Sequence, residues 1–88
     1  MSQPAVTVYV TNWCPYCMRV KALLTEKNAA FSEINVEDEP QFRAEMQARS
    51  NRNTVPQVFI GDRHVGGCDD LFALERSGEL DRLLQGAA

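Results

Sequence analysis

Valine at positions 6, 8 and 10 alternates with Ala5, Thr7 and Tyr9. That period of two, rich in β-branched side chains, favours a central strand from Ala5 to Val10. The period then lengthens. Cys17, Val20, Leu23 and Leu24 recur at helical spacing, with Arg19, Lys21, Glu26 and Lys27 supplying the polar face, which predicts a helix from about Pro15 to about Asn28. Proline suits the first helical position, because its missing N–H would be unpaired there and its φ is already helical. Phe31 to Val36 reads as a second strand, and strand, helix and strand in this span form a βαβ unit with parallel strands and a right-handed crossover. Pro40 opens a second helix, roughly to Ser50, that buries Phe42 and Met46. Gln57 to Ile60 and Arg63 to Val65 flank Gly61-Asp62, a two-residue connection of the kind that makes a tight hairpin. After Gly66-Gly67 a third helix begins near Asp69, with Asp69 and Asp70 placed to cap its N–H groups and oppose its dipole. It carries Leu71, Phe72 and Leu74 inward and stops at Gly78, and Leu80, Leu83 and Leu84 make a short amphipathic finishing turn. The expected order is β-α-β-α-β-β-α, an α/β fold whose four-stranded mixed sheet is flanked by helices.

At 88 residues the chain is sized for one compact domain, 1–88, and its 44% apolar content fits a packed core. Nine Lys/Arg against twelve Asp/Glu give a net charge of −3 with no block of like charge, so the basic footprint of a nucleic-acid or anionic-membrane partner is missing. No apolar run approaches the roughly 20 residues of a membrane span. The opening Met-Ser-Gln-Pro has neither the basic region nor the apolar stretch of a leader. A cytoplasmic location is therefore expected. Three cysteines are too few, and odd in number, for the disulfide framework of a small secreted domain, which makes a reducing compartment the better assumption.

Two of those cysteines sit in Trp13-Cys14-Pro15-Tyr16-Cys17. A thiol is a poor nucleophile until ionised, and a helix N-terminus stabilises the thiolate with exposed N–H donors and partial positive charge. Cys14 falls at that terminus, so its pKa is expected below the ~8.5 of a free thiol. Cys17, one turn further on, is expected to be more buried and close enough for a disulfide. The functional reading is a dithiol couple in which Cys14 attacks and Cys17 resolves. Two other readings stand beside it. Neighbouring core cysteines are one, although burial alone leaves the intervening proline unexplained. A zinc-like set of Cys14, Cys17, Cys68 and His64 is the other, although the His-x-x-x-Cys spacing is common and His64 falls within a predicted strand.

Three blocks, Cys-Pro-Tyr-Cys at 14–17, Thr-Val-Pro-Gln-Val-Phe-Ile-Gly at 54–61 and Gly-Gly-Cys-Asp-Asp-Leu at 66–71, occur in an order that resembles the glutaredoxins of the small dithiol class. The resemblance implies a thioredoxin-like fold and a monomeric glutathione-disulfide oxidoreductase. Its partners would be glutathione, as co-substrate, and disulfide-containing or glutathionylated proteins, with no permanently bound cofactor or metal. By the same resemblance Pro56 follows a cis bond and turns Val55 towards Cys14, where the Val55 backbone pairs with the tripeptide like an added strand. Thr54 belongs to that block. Gly67 and the N–H groups of Cys68 and Asp69 receive the γ-glutamyl carboxylate, and the Asp69 carboxylate meets its ammonium group. Tyr16 packs beside the ligand.

One family position departs from the pattern. A lysine is common three residues before the first cysteine, and Thr11 stands there. The glycine carboxylate is then expected on Arg43, with Arg49, Arg52 or Lys21 as helpers. Trp13 resembles thioredoxins instead and is expected to shape a surface for protein substrates. It keeps open a thioredoxin-like donor reduced by a flavoprotein. A further alternative is carriage of a two-iron cluster across a dimer, against which Pro15 speaks by the same resemblance. The expected potential is about −200 to −230 mV.

Overall fold

The computed structural model describes residues 3–86. Met1 and Ser2, half of the opening read for a leader, lie outside that range. The elements run β1 Val6–Val10, α1 Pro15–Glu26, β2 Ser32–Asn35, α2 Pro40–Ser50, β3 Gln57–Ile60, β4 Arg63–Gly66, α3 Cys68–Ser77 and α4 Glu79–Leu84. The expected order is present, with the finishing turn developed into a fourth helix that the β-α-β-α-β-β-α order leaves out.

The sheet is ordered β2-β1-β3-β4. β1 pairs in parallel with β2 and antiparallel with β3, and β3 pairs antiparallel with β4. This is the thioredoxin-like arrangement. Because β1 and β3 are interior strands, both of their faces are covered, so alternation along them separates two cores. Val6, Val8, Val10, Val58 and Ile60 pack with Val20, Leu24, Leu71 and Leu80 from α1, α3 and α4. Tyr9 and Phe59 face the other way and pack with Val36 and with Met46 of α2. Tyr9 is fully buried, which its place opposite the valines did not announce. Its hydroxyl donates to the Glu45 carboxylate and accepts from Arg49 Nη1 at 2.8 Å. The Arg49 guanidinium lies 4.1 Å from the centre of the Phe59 ring, a cation–π contact. These bonds bring α2 onto the sheet. Burial first, and then the bond to Glu45, push the Tyr9 hydroxyl above its ordinary pKa.

Several boundaries differ from expectation for local reasons. Helix α1 stops at Glu26 because Asn28 takes a left-handed φ of 58°, which cannot continue a right-handed helix. There Lys27 Nζ reaches Glu75 at 2.7 Å and Asp81 at 3.0 Å, tying the end of α1 to α3 and α4. Strand β2 is a short edge strand, with Ser32 and Glu33 exposed. Phe42, Phe72 and Leu74 are half-buried, flanking the cores instead of filling them.

Helix α3 begins at Cys68 with Gly67 as its N-cap. Asp69 is exposed and Asp70 performs the capping, its carboxylate accepting the Gly67 N–H at 3.0 Å. Gly66 permits this. Its φ is +119°, and a Cβ there would stand 2.8 Å from the Asp70 carboxyl carbon. Gly78, at φ 82°, ends α3 and admits α4, whose Leu80 is fully buried.

Candidate active site

Three connections meet at one end of the sheet. Tyr9, near the end of β1, is paired with Gln57 at the start of β3, and Val58 is paired with Gly66 at the end of β4. The β1–α1, α2–β3 and β4–α3 connections are therefore neighbours, and they carry the Cys14, Pro56 and Gly67 blocks respectively.

In the first connection Cys14 is the N-cap of α1, with extended backbone at φ −148°, and Pro15 follows in the first turn. Cys14 and Cys17 are joined as a disulfide, their Cα atoms 5.1 Å apart. Cys14 Sγ also accepts the backbone N–H of Cys17 at 3.0 Å. That places the sulfur on the exposed donors of the helix end, where negative charge is stabilised once the bond is reduced. Cys17 is the deeper of the two, 1% exposed against 9% for Cys14, as the one-turn spacing predicts. The connection is held in place through Asn12. Its N–H donates to Glu37 Oε1 at 2.6 Å and its Oδ1 accepts from Asn35 Nδ2 at 2.6 Å, while Asn35 Oδ1 accepts the Glu37 N–H at 2.8 Å. None of these three residues is marked by the sequence motif. Trp13, Tyr16 and Met18, neighbours of the pair along the chain, are all more than half exposed.

Beside the pair lies an open groove of about 340 Å³. Tyr16, Thr54, Val55, Pro56, Gly67, Cys68 and Asp69 line it, each expected from sequence, together with Arg52, Gln57 and Asp70. The Val55–Pro56 bond is cis. The Cys68 and Asp69 N–H groups lie in the first turn of α3, where no helix carbonyl precedes them. A Cβ on Gly67 would stand 3.4 Å from the Pro56 carbonyl oxygen, so the second and third connections lie against each other there.

Arg43 is not among the lining residues. Its Nη1 donates to Asn53 Oδ1 at 2.8 Å and to Asn53 O at 3.3 Å. The groove's cation is Arg52, expected only as a helper, with Nη1 3.1 Å from Asp70 Oδ2. Arg52 follows Asn51, whose left-handed φ of 60° ends α2. The Gly67 N–H first and Arg52 second hold the Asp70 carboxyl below its usual pKa.

Cys68 is free and 7% exposed. Burial pushes its thiol up, opposed by Arg19 and aided by Asp69, so it is the poorer nucleophile. His64 shares a hydrogen bond of 2.7 Å with Gln57 and stacks at 4.9 Å on Phe59. Among the described residues no group of three or more His, Cys, Asp and Glu side chains is arranged to hold a metal ion.

The arrangement is one cysteine sulfur at a helix N-terminus, a second, deeper sulfur bonded to it, and a groove that ends on a second helix N-terminus. Known proteins are similar to this chain. The family model described as Glutaredoxin matches residues 6–65. A glutaredoxin of Pseudomonas aeruginosa is 54% identical over 81 residues, covering 92% of this chain and 96% of that one. The solution structure of a glutaredoxin from Brucella melitensis is 58% identical with a TM-score of 0.85, covering 97% of this chain and 92% of that chain. A buckwheat glutaredoxin–glutathione complex is 33% identical with a TM-score of 0.86, covering 96% of this chain and 78% of that chain.

Proposed function

This chain belongs to the glutaredoxin family and is a thiol–disulfide oxidoreductase that works through its cysteine pair; from that premise we propose that it is glutathione-dependent, reducing protein–glutathione mixed disulfides and protein disulfides in the cytosol. The Cys14 thiolate attacks the glutathione sulfur of a mixed disulfide. The old S–S bond breaks, the protein thiolate leaves and takes a proton, and Cys14 keeps the glutathionyl group. A second glutathione thiolate then attacks that group, giving glutathione disulfide and restoring the Cys14 thiolate. With a protein disulfide, Cys14 forms the mixed disulfide and Cys17 displaces the substrate sulfur. The resulting Cys14–Cys17 bond is reduced by two molecules of glutathione.

The carrying observation is the groove beside the pair, whose lining offers backbone donors, a carboxylate and a guanidinium to the tripeptide. The Val55 backbone offers a donor and an acceptor for the central peptide. The N–H groups of Cys68 and Asp69 receive the γ-glutamyl carboxylate, and the Asp69 carboxylate meets the ammonium. Arg52, which lines the groove where Arg43 does not, takes the glycine carboxylate, a charge-assisted bond suited to a guanidinium. Tyr16 packs along the ligand between the pair and the groove.

Single-cysteine variants test the two roles. Cys14→Ser abolishes glutathione-coupled reduction of a mixed disulfide, whereas Cys17→Ser retains much of it and loses turnover of protein disulfides. The reverse pattern overturns the assignment, and turnover with a flavoprotein reductase in place of glutathione moves the chain to the thioredoxin-like mode.

A further inference from the structure

Gln57 is a long polar side chain only 1% exposed, at the first position of an interior strand, where an apolar residue is ordinary. Its partners fix which way the amide points. Nε2 lies 3.1 Å from the Thr54 carbonyl oxygen and 3.1 Å from Thr54 Oγ1. A carbonyl oxygen only accepts, so the end facing Thr54 bears the hydrogens. Oε1 is then the acceptor facing His64 Nε2 at 2.7 Å, so the ring carries its proton on that nitrogen. The ring is itself held by stacking on Phe59, 4.9 Å centre to centre and tilted by 31°. Burial first, and then Arg52, lower the His64 pKa, with Asp70 pulling the other way, which favours the neutral ring.

The relay His64 Nε2–H to Gln57 Oε1, and Gln57 Nε2–H to Thr54 O, ends on the peptide that joins Thr54 to Val55. A planar trans amide directs its N–H opposite to its C=O. Drawing the Thr54 oxygen back over the start of β3 therefore turns the Val55 N–H to the other side. Val55 lines the groove. Resting on the glutathione reading of that groove, we propose that Gln57 is a positioning residue for the ligand: its amide, oriented by His64, fixes the Thr54–Val55 peptide so that the Val55 N–H is presented to the tripeptide.

The test uses the full chain, with a glutathionylated peptide as substrate and glutathione as reductant. Gln57→Leu keeps the volume and removes both ends of the relay. KM for the glutathionylated peptide rises about five- to tenfold, the value of one well-aligned hydrogen bond, while kcat and the midpoint potential of the Cys14–Cys17 pair stay put. His64→Phe keeps the ring on Phe59 and removes the donor; KM rises in the same direction, and adding it to Gln57→Leu changes nothing further because both act through one bond. An unaltered KM in Gln57→Leu, additive effects in the double variant, or a shifted potential overturns the proposal. If Gln57→Leu does not fold, nitrogen NMR of His64 in the wild type decides: a neutral ring protonated on Nε2 supports the relay, and one protonated on Nδ1 overturns it. A wild type with no saturable dependence on the glutathionylated peptide refutes the glutathione reading itself, an outcome distinct from normal wild-type kinetics with indifferent variants.

Discussion

Exchanging Arg52 for alanine separates the two arginines offered for the glycine carboxylate. The Arg52–Asp70 pair is half-exposed at both partners, 48% on each side chain, and exposed pairs of that kind are worth about 0–1 kcal/mol. Arg52→Ala therefore leaves the fold nearly as stable as before. A hydrogen bond to a charged group contributes about 1.5–3 kcal/mol. The partial exposure of Arg52 and the opposing charge of Asp70 reduce that to about 1–2 kcal/mol, a factor of roughly 5–30 in affinity. Lost binding that is equal in ground and transition states raises KM and spares kcat, so the expected result is a 5- to 30-fold higher KM for a glutathionylated peptide at unchanged kcat. Arg43→Ala moves KM by less than about twofold, because only its surface bonds to Asn53 are lost. Salt supplies a second check. Screening over about 8–10 Å weakens an exposed ionic contact, so wild-type KM climbs with ionic strength and the Arg52→Ala profile is flatter. A larger KM effect from Arg43→Ala than from Arg52→Ala refutes the reasoning.

Three more outcomes follow from the geometry. In the reduced protein the Cys14 thiol alkylates with an apparent pKa below the ~8.5 of a free thiol, since its sulfur sits on the first-turn donors of α1; iodoacetamide kinetics against pH check this, and an unshifted value removes the electrostatic basis of the mechanism. Asp70→Asn lowers stability at neutral pH by about 0.5–1 kcal/mol. The folded pKa of Asp70 is depressed, so its contribution is present above the unfolded value near 3.9 and is lost as pH falls through the folded one; denaturant titrations of the two proteins therefore converge below about pH 4. Leu80→Ala, at a fully buried position on α4, costs about 2–5 kcal/mol, read as a fall of roughly 10–30 °C in melting temperature at fixed redox state.

What was legible in the sequence was local. Val6, Val8 and Val10 announced an interior strand, Cys14-Pro15 the mouth of a helix, Gly61-Asp62 a hairpin closed by the Ile60 to Arg63 pairing, and Pro40 to Ser50 a helix with those bounds. Features decided by distant partners were not legible. Tyr9 is buried because α2 covers the second face and brings Glu45 and Arg49 to its hydroxyl. Lys27, just past the end of α1, meets Glu75 and Asp81, some fifty residues away in the chain. The place of Arg52 in the groove did have a local signal. Asn51 follows the last helical residue, and asparagine readily takes the left-handed conformation that ends a helix, so position 52 begins the return towards the Thr54 block.

The same residues build the cores and aim the site, so the two are inseparable. Val58 and Ile60 point into one core and Phe59 into the other, with Gln57 and His64 on the Phe59 side of the sheet. A slip of β3 by one residue against β1 would exchange these faces, expelling Phe59 from beneath Arg49 and pulling Gln57 away from Thr54. Both faces are buried, so such a slip loses apolar contacts on two sides at once, and the register is doubly specified. That register also sets Gln57 beside Tyr9, and the pairing of β3 with β4 sets Gly66 beside Val58, which brings the N-termini of α1 and α3 to one end of the sheet. Each terminus carries partial positive charge worth about 0.3–1 kcal/mol to a nearby anion. One lies at the Cys14 sulfur and the other faces the groove, so the electrostatics of the proposed reaction follow from the pairing of β3 with both of its neighbours.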